Sequence, residues 1–328
     1  MASDLRQTPA WFLWLAVLGA LHVAALSSRL LVHLADCLRR PKDLRRRYGA
    51  WAVVTGPTSG IGRSVALELA GRGLNIVLVG LDAADLEEVS EAIRSRHPVE
   101  TRTVVFDLSL ASTPQGDEAM RRLRDVVEGL DVGVLVNNAG VMSPRAAFFH
   151  EGDLEAYVRM IRVNLWAPTE VTAAVIPGMA ARGRGAVVSM GSATSEAVAS
   201  FPLHAVYSGT KRYVAVLSGG LAAEYGGGGV DVQCHAPMFV ATAMIDGFSP
   251  VWRPPPLVPT ADAYARAAVR WVGRGGPLCV PSLRHRILWC LLDVVPGRVQ
   301  DWACLREGLR QRKASRRSPT ASACRASN

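Results

Sequence analysis

From Trp51 onward, short apolar runs alternate with stretches of helical spacing. Ala52-Val53-Val54 reads as a buried strand, and a helix opens at Gly60. Asn75 to Val79 is a second strand, followed by a helix over Leu86–Arg96 with Leu86, Val89 and Ile93 on one face. Val104-Val105-Phe106, Val132–Val136, Ala186–Met190 and Val230–Cys234 are four further strands. Helices fall around Leu154–Val163, Thr169–Met179 and Val206–Glu224. Short, continuously apolar strands separated by helices predict an α/β fold, a Rossmann-type doubly wound parallel sheet with helices on both faces. The run Gly226 to Gly229 is expected to be a loop, since successive glycines make poor helix. After Met238 the pattern is less regular. The prolines at 254–256 predict an extended loop. The apolar stretch Ile287–Val295 is too short to span a bilayer, so it is either a packed helix or a monotopic membrane contact.

Upstream of the alternation, Trp11–Ser28 is almost entirely apolar. As a helix it would extend about 27 Å, close to the thickness of an endoplasmic-reticulum bilayer. Arginines and lysines crowd positions 39–47, and that flank belongs on the cytosolic side. The segment therefore reads as a single-pass transmembrane helix; a cleaved signal peptide and a buried or hairpin-like helix are the rivals. A signal peptide fits poorly, because the start of the chain lacks a basic region. The domain organisation expected is an anchor with basic flank over 1–47, a catalytic domain over 48–310, and a basic, disordered tail over 311–328.

Composition narrows the class. The chain has 328 residues, 49% of them hydrophobic, and a formal net charge of +9. Its six cysteines are scattered without a CxxC pair, which argues against a metal site or a disulfide framework. The cationic excess lies near both ends of an apolar protein, which points to an anionic membrane face or to phosphate-bearing ligands, and no nucleic-acid-binding signature accompanies it.

The candidate chemistry sits at the strand ends. Gly56-Pro57-Thr58-Ser59-Gly60-Ile61-Gly62 follows a strand and opens a helix, where backbone N–H groups and a helix N-terminus can meet a pyrophosphate. Asp107 ends the third strand and could bond an adenine amino group or cap the next turn. Asn137-Asn138-Ala139-Gly140 ends the fourth strand and suits packing against a cofactor. In a helix, Tyr207 and Lys211 lie one turn apart on one face. A phenol is a poor proton donor at neutral pH unless tuned, and the ammonium is expected to lower its pKa.

Together these motifs resemble the short-chain dehydrogenase/reductase superfamily over residues 50–245. The runs Tyr48–Thr58, Gly129–Leu135, Phe148–Glu151 and Val230–Cys234 are similar to its very-long-chain 3-oxoacyl-CoA reductase branch, which is related to steroid 17-beta-dehydrogenases. Met190-Gly191-Ser192-Ala193 and Val240-Ala241-Thr242 resemble its plant members. The resemblance implies that Tyr207 donates a proton to a substrate carbonyl and Ser192 polarises that oxygen. It also implies that Lys211 holds the nicotinamide ribose and tunes Tyr207, while Asn164 positions a water for proton resupply. Ser192 lies fifteen residues before Tyr207; the commoner spacing of thirteen would fall on Thr194. Pro237, Val240 and Thr242 would cover the nicotinamide and begin the substrate lid. His204 is expected to line the pocket.

The implied cofactor is NADPH, with NADH open. Leu81 stands where the family carries an arginine, and Asp82 lies where an acid could select NAD. Gly80, however, leaves room for a phosphate, and Arg63 could supply charge. The partners implied are a long acyl-CoA, membrane lipid and elongase subunits, with homo-oligomerisation open. A steroid or other lipid-alcohol dehydrogenase and a non-catalytic elongase subunit are the alternatives.

Overall fold

The computed structural model describes residues 9–143, 145–246, 248, 253 and 255–317, and the chain divides into two units, 1–41 and 42–328. In the first, α1 (Ala10–Leu38) is a 29-residue helix. Its span Ala10–Asp36 is the only helix among the described residues long and apolar enough to cross a membrane, and its apolar side chains are exposed within the unit, unlike those of a core helix.

The second unit starts earlier than the basic flank suggested. Asp43 caps α2 (Leu44–Tyr48) by accepting from the Arg46 N–H. The Lys42 ammonium donates to Gly273 O, and the buried Tyr48 hydroxyl donates to Asp231. Residues 42–47 thus belong to the catalytic unit.

Seven parallel strands follow: β1 (Trp51–Thr55), β2 (Asn75–Gly80), β3 (Thr101–Val105), β4 (Val132–Asn137), β5 (Gly185–Met190), β6 (Val230–His235) and β7 (Leu278–Cys279). Their order is β3-β2-β1-β4-β5-β6-β7. β7 has only two residues, too few to carry a periodic signal, and it escaped the sequence pattern. Between the strands run α3 (Gly60–Gly71), α4 (Ala83–Arg94), α5 (Pro114–Val127), α6 (Leu154–Ile161), α7 (Ala167–Arg182), α8 (Ala193–Glu196), α9 (Ala205–Tyr225) and α10 (Ala261–Trp271). Two further helices follow, α11 (Leu283–Asp293) and α12 (Gly297–Arg317). Residues 311–317, expected to be disordered, continue α12; the rest of that tail and Pro254 lie outside the described residues. Gly226–Gly228 form one 3-10 turn, ended by Gly229 at φ +82°.

Successive residues of β1 and β2 enter opposite cores, as the pleat requires. Ala52, Val54, Ile76 and Leu78 join one cluster with α3, α4 and α10. Trp51, Val53, Val77 and Val79 join the other with α5 and α7. Each fully buried valine, leucine or isoleucine contributes roughly 1.5–3 kcal/mol, so this two-sided burial holds the strand ends in place. The order reverses between β1 and β4, which leaves a crevice at their carboxyl ends.

Candidate active site

Every sequence-predicted site residue except Asn164 and the Tyr207–Lys211 helix pair follows the carboxyl end of a strand: Gly56–Gly62 after β1, Asp107 after β3, Asn138–Gly140 after β4, Ser192 after β5, and Pro237, Val240 and Thr242 after β6.

The first turn is built around close backbone contacts. Gly56 and Gly60 adopt φ of +61° and +54°, a region costly for any residue with a Cβ. A Cβ at Gly62 would overlap Gly56 O and Asn138 Nδ2. Asn138 Nδ2 donates to Thr55 O at 3.1 Å and to Gly56 O at 3.0 Å. Thr55 Oγ1 accepts from the N–H groups of Asn138 and Ala139 at 3.0 and 3.1 Å. Asn138 and Thr55 therefore clamp β4 to the turn. Sequence reasoning missed Thr55, because its role depends on a partner 83 residues away. Ser59, the N-cap of α3, makes no side-chain cap bond, so among the described residues its hydroxyl leaves the first amides of this 12-residue helix uncapped. Uncapped N–H groups of Gly60, Ile61 and Gly62 beside Thr58 and Ser59 fit a pyrophosphate. Thr242 Cγ2 lies 3.3 Å from where a Gly60 Cβ would be, so the segment after β6 reaches over this turn. Val240 is buried in the core beneath it, and Pro237 O accepts from the Ala193 N–H at 2.9 Å.

The two aspartates are caps. Asp107 Oδ1 accepts from the Ser109 N–H at 2.9 Å. Asp82 Oδ1 accepts from the Ala84 and Asp85 N–H groups, at 2.8 and 3.0 Å, and starts α4. The acid positioned to select NAD is thereby engaged in a helix cap. Gly80 packs under Pro57 and Leu86, Leu81 is exposed, and Arg63 reaches Glu88 at 3.2 Å.

The polar pair is deeply buried. Lys211 Nζ donates to Met190 O at 2.8 Å and lies 5.9 Å from the centre of the Tyr207 ring. Burial lowers the Lys211 pKa to about 8. Burial raises the Tyr207 pKa, and the Ser192 hydroxyl partly opposes this. Burial outweighs the lowering expected from Lys211, whose ammonium is directed to the Met190 carbonyl. Tyr207 is accordingly held as the neutral phenol, the proton-donating form. A proton donor beside a lysine that titrates near pH 8 has a testable signature. If the Lys211 ammonium is required, kcat/KM falls about tenfold per pH unit above pH ~8, and Lys211→Met flattens that limb while lowering its plateau.

Ser192 and Thr194 adjoin each other, with their hydroxyls 2.8 Å apart and the Thr194 N–H 3.2 Å from Ser192 Oγ. The two spacings thus bring both hydroxyls to one place, and Ser192 is the one that faces Tyr207. We expect Ser192→Ala to lower kcat about 10²-fold and Thr194→Ala no more than about threefold, in a steady-state assay. Ser189 faces strand packing and accepts from Asn137 Nδ2 at 3.3 Å.

Asn164 lies in a π-helical turn, Arg162–Trp166, between α6 and α7. The wider turn interrupts the helix at a polar position, a feature common at functional sites. Its Oδ1 accepts from the Val141 N–H and its Nδ2 donates to Val141 O, both at 2.8 Å, and to Thr210 Oγ1 at 3.1 Å. A Cβ on Gly140 would sit 3.1 Å from Lys211 Nζ and 3.5 Å from Asn164 Oδ1, so Gly140 separates the two. Both amide protons of Asn164 have protein acceptors, which leaves lone pairs as the route to any water. Thr210, also missed, joins this residue to the Tyr207 carbonyl, to which it donates at 2.8 Å.

Beside Tyr207 lies an apolar cavity of ≈ 120 Å³, lined among others by Phe148, Phe149, Met160, Leu203 and Leu305. His204 lines it too and stacks on Phe201, 5.1 Å between ring centres. Its Nε2 meets Gln311 Oε1 at 3.3 Å, and burial lowers its pKa. It serves as a wall, as the sequence suggested.

A family model described as short chain dehydrogenase matches residues 50–250. The chain is 41% identical over 279 residues to a very-long-chain 3-oxoacyl-CoA reductase-like protein of Arabidopsis thaliana, covering 85% of this chain and 87% of that one. It is 35% identical over 267 residues to the human inactive hydroxysteroid dehydrogenase-like protein 1, covering 79% of each. Among solved structures, a short-chain dehydrogenase from Sphingobium yanoikuyae in complex with NADPH superposes with a TM-score of 0.63 at 29% identity, over 74% of this chain and 92% of that one.

Proposed function

Because the chain belongs to the short-chain dehydrogenase family, we propose that it is an NADPH-dependent reductase converting very-long-chain 3-oxoacyl-CoA to 3-hydroxyacyl-CoA in fatty-acid elongation. The observation that carries this is the buried Ser192, Tyr207 and Lys211 set, of which Tyr207 lines an apolar cavity, in a chain whose curated relatives include reductases of that name. Gly56–Gly62, Asn138, Ala139, Gly140 and Thr242 would hold the cofactor, with Lys211 at its ribose. When bound, the nicotinamide supplies hydride to the substrate carbonyl carbon. Ser192 orients the carbonyl oxygen, Tyr207 delivers a proton to it, and Lys211 supports the charge that Tyr207 leaves. Asn164 keeps the Val141 backbone and Thr210 in register beside Lys211 for proton resupply. With the Asp82 carboxylate engaged as a cap, Arg63 on α3, now paired with Glu88, could supply charge to the NADPH 2′-phosphate.

The candidate span in α1, with Arg39, Arg40, Lys42 and Arg45–Arg47 after it, supports anchoring in the endoplasmic-reticulum membrane with the catalytic unit in the cytosol. Elongase subunits at that membrane are the partners this reading implies.

A rigid fused-ring ketone is the rival substrate. The cavity is smaller than those enclosing drug-sized ligands, and an extended chain fills such a space with less displacement. The test is cofactor oxidation by the reconstituted full chain with a long-chain 3-oxoacyl-CoA or a steroid ketone. Faster turnover of the acyl-CoA, with NADPH preferred, is expected; turnover of the steroid alone would reverse the assignment.

A further inference from the structure

The C-terminal helices present an apolar face that the reductase reading does not use. On α11 and its C-cap, Leu283, Ile287, Leu291 and Val294 recur at i, i+4, i+8 and i+11, and all are exposed. On α12, Val299, Trp302, Leu305 and Leu309 are exposed as well, Trp302 by 60%. The inner side of the same helices is firmly held. His285 Nδ1 accepts from the Met238 N–H at 3.3 Å, and its Nε2 meets Phe239 O at 3.0 Å. Gln300 Nε2 donates to Leu292 O and Val295 O, at 2.8 and 3.0 Å, tying the two helices together. Arg312 Nε donates to Glu151 at 3.0 Å, and its guanidinium lies 5.0 Å from the Phe148 ring centre. An outward stripe on helices so fixed is a surface, not a frayed end.

We infer that the outer face of α11 and α12 docks on an anionic lipid bilayer, and that the cavity beside Tyr207 opens into that contact. Charge identifies the occupant. Residues 283–313 carry seven arginines and lysines against three carboxylates, one of which, Glu307, is buried and paired with Arg310. Arg306 lies 5.4 Å from the Trp302 ring centre, an aromatic and a cation side by side at the exposed edge. Apolar stripe, tryptophan and flanking arginines are the composition of helices that lie in a membrane interface, their cationic ends extended to the headgroups. α11 is too short to span, and α12 carries too many charges. A second copy of the chain across this face would oppose like charges. Leu305 belongs both to these exposed residues and to the cavity wall, and exposed Phe148 and Phe149 line the same mouth. A long acyl chain could then pass from lipid to the site without crossing water. Docking stands on the surface alone; acyl entry rests on the reductase reading.

The full chain, with Cys37, Cys290 and Cys324 changed to Ser, is labelled with an environment-sensitive fluorophore at Leu291→Cys or Trp302→Cys. Glu128→Cys, exposed near the amino end of β4, is the control. Vesicles of phosphatidylcholine, with or without phosphatidylserine, carry a doxyl quencher near the headgroup end of the acyl chain. Quenching of about twofold or more at 291 and 302, stronger with phosphatidylserine and absent at 128, is expected. No quenching at 291 and 302, or an emission change that follows protein concentration and ignores the quencher, would overturn docking. For acyl entry, Leu291→Asp with Trp302→Asp should raise KM about tenfold for a long-chain 3-oxoacyl-CoA in vesicles and leave turnover of a short, soluble 3-oxoacyl-CoA unchanged. An unchanged long-chain KM would overturn entry from the bilayer. If even the parent chain reduces neither substrate, the reductase reading fails, and quenching still decides docking.

Discussion

Replacing Tyr207 with phenylalanine lowers kcat about 10³-fold, within the 10²–10⁴ range typical of removing a general acid and equivalent to about 4 kcal/mol of transition-state stabilisation. The ring volume is retained, and the residue is packed in α9 at 7% exposure, so the backbone has no reason to move. Ser192 loses a hydroxyl partner, a cost of about 1 kcal/mol, but keeps its bonds to Thr194. Folding and cofactor affinity should therefore stay near those of the parent chain, which thermal unfolding and a fluorescence titration with NADPH would check. Turnover within about threefold of the parent would remove Tyr207 from the mechanism. A collapse of both folding and turnover would show the hydroxyl to be structural.

Gly62→Ala is expected to weaken NADPH binding about 10²-fold, or nearly 3 kcal/mol, and to lower stability by about 3 kcal/mol. The added carbon would overlap Gly56 O and Asn138 Nδ2, the two atoms whose hydrogen bond ties the turn to β4. Neither can yield cheaply, because one is backbone and the other is held by two carbonyls. The clamp must open, and the amides of Gly60 and Ile61 would move with it. Gly140→Ala should be milder for folding, since its nearest neighbour is the end of the Lys211 side chain at 3.1 Å, which needs to give by only a few tenths of an ångström. Gly220→Ala is the control: it is exposed in α9 with nothing within 4 Å, and it should gain about 0.5–1 kcal/mol. Equal NADPH affinity in Gly62→Ala and the parent would mean the turn does not bind the pyrophosphate.

Much of this architecture could be read in advance because its signals are local. A continuous apolar run such as Val53-Val54 has to be a strand covered on both faces. A glycine turn between that strand and a helix permits few conformations. The spacing of Tyr207 and Lys211 places them on one helix face whatever surrounds them. What stayed open has a common origin as well. Asp107 read as an adenine contact or a cap, and Asp82 as an acid placed to select NAD; in the structure one oxygen of each carboxylate caps the element that follows. An aspartate at a strand end has the same short-range appearance in either role. Residues 42–47 looked like a flank, but the partners that hold this segment, Gly273 and Asp231, lie more than 180 residues away.

By itself, then, the chain's sequence determined the alternation of strands and helices, the strand-end placement of the candidate chemistry and the apolar N-terminal helix, because periodicity and turn chemistry act over a few residues. Only the tertiary structure decided the state of that chemistry. Lys211 was expected to lower the phenol's pKa; burial instead raises it, and the ammonium turns to Met190 O. Asn164 is fixed by Val141 and Thr210, and the cavity wall is completed by Leu305, contributed by a helix nearly 100 residues after Tyr207. Desolvation and hydrogen-bond direction depend on everything packed around a group, and packing joins residues that no local pattern relates.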